Sequence, residues 1–84
     1  MKYRFYAGLD LGAASDFTAL IIADRVPEAP PFSYFLRYIR RFPLKTSYPD
    51  IVRDVCTITK TEPLAGNMLL AIDGTGVGKP VVDM

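Results

Sequence analysis

Apolar and polar residues alternate from Tyr3 to Leu11, placing Tyr3, Phe5, Ala7, Leu9 and Leu11 on one side and Arg4, Tyr6, Gly8 and Asp10 on the other. A period of two is the signature of a strand with one buried face. Gly12-Ala13-Ala14-Ser15-Asp16 has turn chemistry, and Phe17 through Arg25 is apolar and β-branched. The pattern therefore predicts a hairpin, with a second strand antiparallel to the first. Pro27, Pro30 and Pro31 then forbid a continuing ladder, because each removes a backbone donor.

A third alternating run, Phe32 to Phe42, sets Tyr34, Leu36 and Tyr38 against Phe35, Arg37, Ile39 and Arg41. Its arginines suit an edge strand guarded against pairing with other chains. From Ser47 the period changes. Ser47 has N-cap chemistry, Pro49 and Asp50 suit a first helical turn, and a helix is predicted to about Lys60. Ile51, Val52, Val55 and Ile58 form its apolar stripe, with Cys56 at the border as a small buried hydrophobe, while Asp50, Arg53, Asp54 and Thr57 face water.

Residues 62–67 read as a connector. Met68 to Asp73 is a continuous apolar run closed by a carboxylate, the mark of a strand buried on both faces, and Gly74 to Gly78 is a loop. Pro80 suits the start of a further helix, which the chain leaves after about one turn. The expected fold is α/β: three antiparallel strands, a crossover helix, and a fourth strand returned parallel to the first and in an inner position beside it.

That arrangement brings two acids together. Asp10 and Asp73 fall toward the C-terminal ends of neighbouring parallel strands, the edge where open α/β sheets hold ligands. A desolvated carboxylate in an apolar strand is costly without a partner, so Asp10 is the first candidate for a ligand-binding role. At a strand spacing of about 4.8 Å, two carboxylates can share Mg²⁺ or Mn²⁺, or flank a two-metal site. The plainer reading has Asp10 bonded to turn amides and Asp73 opening an Asp-Gly turn.

Composition narrows the chemistry further. The chain has 84 residues, one cysteine, no histidine and a net charge of +1. One small domain is expected. Disulfide frameworks, Cys/His zinc sites and Ser-His-Asp triads are excluded, leaving carboxylates, Lys or a bound metal. No apolar run approaches a membrane span and the N-terminus does not resemble a signal peptide, so a cytoplasmic protein is expected. Arg37, Arg40, Arg41 and Lys45 make the one basic cluster, readable as a solvated edge or as contacts to DNA phosphates. Asp16 reads as a turn cap or an outer-shell neighbour of a metal.

Three blocks carry a resemblance. They are Tyr6-Ala7-Gly8-Leu9-Asp10-Leu11-Gly12 with Ser15-Asp16-Phe17-Thr18-Ala19-Leu20; Arg40-Arg41-Phe42-Pro43-Leu44 with Thr46-Ser47-Tyr48-Pro49-Asp50-Ile51-Val52; and Ile72-Asp73-Gly74-Thr75-Gly76-Val77-Gly78-Lys79-Pro80-Val81-Val82-Asp83. In this order they resemble the start of the nuclease domain of phage and prophage terminase large subunits. The resemblance implies an RNase H-like fold that cuts concatemeric phage DNA during packaging, in a bacterial cytoplasm, with Mg²⁺ or Mn²⁺ held by acids. Asp10 then matches the first-strand acid and Asp73 the acid ending the fourth strand. It also implies that residues 1–84 are a C-terminally truncated part of that domain, with a further acid beyond Met84; Asp83 is a weak substitute.

Two other readings are carried forward. Gly74 to Lys79 does not fit a phosphate loop, since position 73 is Asp and position 80 is Pro. An actin-like or sugar-kinase-type ATPase half shares the strand plan, with Asp10-Leu11-Gly12 and Asp73-Gly74 as phosphate turns. An inactive remnant that forms a homodimer through its exposed sheet edge is the third.

Overall fold

A computed structural model of the chain describes residues 3–13, 15–27 and 29–74. Its elements run β1 (Phe5–Asp10), β2 (Ala19–Val26), β3 (Ser33–Arg41), α1 (Tyr48–Thr59) and β4 (Met68–Asp73). They form one mixed sheet in the order β3-β2-β1-β4, with β1 antiparallel to β2, β2 antiparallel to β3, and β1 parallel to β4. The helix expected from Pro80 and the carboxylate of Asp83 lie outside the described residues. Among the described residues no helix is long and apolar enough to cross a membrane.

The alternation of β1 decides which side of the sheet is covered. Phe5, Ala7 and Leu9 are buried, and with Leu11, Leu20, Ile22 and Phe42 they pack against Ile51 and Val55 of α1. Each large side chain so buried contributes about 1.5–3 kcal/mol. The helix starts where its cap dictates: the Ser47 hydroxyl oxygen accepts from the Asp50 amide at 3.2 Å, and Pro49 occupies the first turn. α1 covers one face only. The other face carries Tyr6, Gly8 and Asp10 from β1, and Ile21, Leu36, Ile39 and Leu69 stand exposed on it.

Four expectations are corrected. β4 lies beside β1 as expected, but at the end of the described sheet rather than inside it, so Leu69 and Ile72 of its apolar run are exposed. β3 does not alternate evenly, because a bulge opposite Ile22 and Ala23 leaves Arg37 out of the pairing. An extra residue reverses the alternation that follows it. Tyr34 and Leu36 thus share the open face with Ile39 and Arg41, while Tyr38 turns to the helix side beside Ile22 and Ile58. Cys56 is exposed, since one step past the buried Val55 turns it about 100° away from the core. Asp54 does not simply face water, for it accepts an ion pair from Arg40 at 3.2 Å.

Candidate functional site

The site is built by register. Asp10 ends β1, Asp73 ends β4, and the two are paired positions on adjacent parallel strands. Paired positions point their side chains to the same face. The Leu11 amide donates to the Asp73 carbonyl at 3.0 Å, which fixes the two strand ends together just past the acids. Asp10 and Asp73 both border a shallow, mainly apolar basin of about 360 Å³ on the open face, with Gly8, Ala19, Ile21 and Ala71 around it. The small residues keep the basin open beside the acids. Asp10 is exposed, so the expectation of a desolvated carboxylate is corrected: its strand is apolar on the covered face, and the residue stands on the other.

Carboxylate oxygens are the donor type that a hard divalent cation takes. Two acids occupy paired positions at one strand end, and the open side leaves room for waters and a substrate oxygen. Among the described residues no group of three or more His, Cys, Asp or Glu side chains converges.

The turn that follows Asp10 is held from several directions. The Gly12 amide donates to Thr18 Oγ1 at 2.9 Å, and the Tyr48 hydroxyl donates to the Gly12 carbonyl at 2.8 Å. Thr18, itself buried, accepts at its carbonyl from the Phe42 amide at 2.9 Å. A Cβ at Gly12 would collide with the carbonyl oxygens of Asp16 and Phe17. Only glycine permits that approach. Sequence reasoning passed over Gly12, Thr18 and Tyr48 as site supports; a hydroxyl opening an apolar strand and a lone tyrosine at a helix start were the signals. Asp16 lies in this turn and lines a separate, smaller cavity with Lys45, Ser47 and Tyr48 rather than the acid basin.

The four basic residues do not form one patch. Arg37 sits at the bulge, its Nε 3.4 Å from Asp24, and Arg40 pairs with Asp54 while stacking 4.3 Å from the Phe42 ring centroid. Both face the helix side. Lys45 occupies the turn before α1 in a left-handed conformation, φ 67°. Arg41 alone is on the open face with the acids, its guanidinium 4.3 Å from the Phe17 ring centroid.

A third carboxylate of the sheet was missed. Asp24, in the apolar strand β2, is 2% exposed and receives Nε of Arg4 at 2.8 Å and Nη2 at 3.0 Å, with Arg37 as a second cation. The hydrogen bond from Arg4 holds its carboxyl below the ordinary carboxylate range, against the opposing effect of burial and with both guanidinium charges helping. The cost argument applied to Asp10 applied more strongly here, since a carboxylate between Ala23 and Arg25 interrupts an equally apolar run. No protein-family model, curated protein or solved structure matches the chain.

Proposed function

We propose that the chain carries the acid pair of a Mg²⁺- or Mn²⁺-dependent DNA endonuclease site of the RNase H-like, terminase large-subunit kind. The observation that carries this reading is the pairing of Asp10 with Asp73 at the C-terminal ends of adjacent parallel strands, beside an open basin. Like charges so placed repel unless a cation lies between them. Divalent ions, when bound, supply charge neutralisation of a phosphodiester and lower the pKa of water.

The chain's own residues do the rest. β1 and β4 fix the carboxylate separation through their ladder, and Gly12 with Thr18 and Tyr48 holds the turn behind Asp10. Gly8, Ala19 and Ala71 leave space for a sugar-phosphate backbone to approach. The substrate would be double-stranded phage DNA, cut during packaging, with sequence-independent contacts from the basic side chains.

The test is a Mn²⁺ titration followed by NMR, with and without ATP. Joint paramagnetic broadening of the amides around Asp10 and Gly74, indifferent to ATP and lost in Asp10→Asn, is the expected result. Broadening that requires ATP points instead to an actin-like ATPase half. No broadening at all rejects both.

A second reading, a self-associating chain without chemistry, draws on the exposed Ile21, Leu36, Ile39 and Leu69 of the open face. A homodimer burying that face would shield apolar surface. Light scattering that returns a dimer, together with no Mn²⁺ response, is what this reading requires.

A further inference from the structure

The row of the sheet that holds the acids continues beyond them. Asp73 on β4 pairs with Asp10 on β1, Asp10 with Ala19 on β2, and Ala19 with Arg41 on β3. All four positions share the open face. Two strand spacings put the Cα atoms of Asp10 and Arg41 about 9–10 Å apart, with only the methyl group of Ala19 between them. A polyanionic strand crossing that gap meets two carboxylates on one side. It needs a cation on the other.

Arg41 is the arginine of β3 that supplies one. Arg37 is drawn to Asp24 and Arg40 to Asp54, both on the helix side. Arg41 instead lies over the ring of Phe17, itself 45% exposed, in a cation–π contact that restricts the guanidinium without neutralising it. Such a fork can hold a phosphate through two parallel hydrogen bonds.

We propose that Arg41 is the phosphate-binding residue of the acid site, that Phe17 positions it, and that the DNA backbone lies across Ala19 between Arg41 and Asp10. This rests on the nuclease reading. It narrows the basic cluster to the single arginine that shares the acids' row.

The test is fluorescence anisotropy of a labelled 20-base-pair duplex in CaCl₂, titrated at several salt concentrations with wild type, R41Q, R41K, F17L and R37Q. R41Q should weaken binding about tenfold and reduce the slope of log affinity against log salt by about one, the value for a lost phosphate contact. R41K should keep the slope and lose affinity a few-fold, because the charge remains and the fork does not. F17L should also weaken binding a few-fold at unchanged slope, and R37Q should leave the slope as in wild type. Circular dichroism of R41K and R41Q checks that both are folded.

Equal affinity and slope in wild type and R41Q would overturn the proposal, as would an equal slope change in R37Q or a wild type that binds no duplex. Mn²⁺ broadening at Asp10 should be unchanged in R41Q. If Mn²⁺ fails to broaden Asp10 in wild type while the Arg41-dependent slope persists, the nuclease reading fails and the DNA contact stands.

Discussion

The sheet carries three carboxylates, and two of them, Asp24 and Asp10, are treated in opposite ways. Asp24 is buried and met by the guanidiniums of Arg4 and Arg37. Asp10 is exposed and stands beside another acid, Asp73. The first arrangement satisfies its charge within the chain and so serves the fold. The second sets two exposed carboxylates at paired positions on adjacent strand ends. The buried carboxylate bonded by two arginines belongs to the fold, and the exposed pair of carboxylates is the candidate site.

The comparison is broken most severely at the structural end. Arg4→Ala leaves the buried Asp24 with Arg37 alone, and should cost about 2–3 kcal/mol in urea unfolding. That is below the cost of breaking a fully buried pair, since the Arg4 side chain is half-exposed. Gly12→Ala comes next, at about 2 kcal/mol in the same measurement, because its Cβ meets backbone oxygens that cannot move aside cheaply. Acid titration gives a smaller effect with a definite sign. The folded-state pKa of Asp24 is lowered, so its stabilisation is fully present above the ordinary carboxylate pKa and is lost as the pH falls through the folded value. Stability followed by circular dichroism should therefore fall on acidification in wild type, and the fall should be shallower in Asp24→Asn.

The smallest effect belongs to the site. Asp10→Asn in metal-free buffer should be neutral or stabilising by a few tenths of a kcal/mol, since it removes a like-charge pair across the ladder. A loss of several kcal/mol would mean that Asp10, like Asp24, serves the fold.

Much of this was legible in local pattern. The faces of β1, the Ser47 cap, the Ile51 and Val55 stripe and the ending of β4 on Asp73 all follow from periodicity and cap chemistry, which need no knowledge of distant residues. The joint placement of Asp10 and Asp73 followed from the crossover rule. What escaped depends on partners far along the chain. Arg4 reaches Asp24 across the β1–β2 pairing, the bulge at Arg37 is set by the β2–β3 register, and Tyr48 finds Gly12 only once α1 is docked. The basic run looked like one patch because neighbours in sequence alternate between the faces of a strand; Arg40 and Arg41 end on opposite sides of the sheet.

The central claim is that Asp10 and Asp73 act as one ligand set. Calorimetric Mn²⁺ titration of wild type, Asp10→Asn, Asp73→Asn and the double variant tests it most directly. A shared site predicts that each single variant loses nearly as much affinity as the double, a strongly non-additive cycle. Losses that add independently, or affinity unchanged in all three variants, would contradict it.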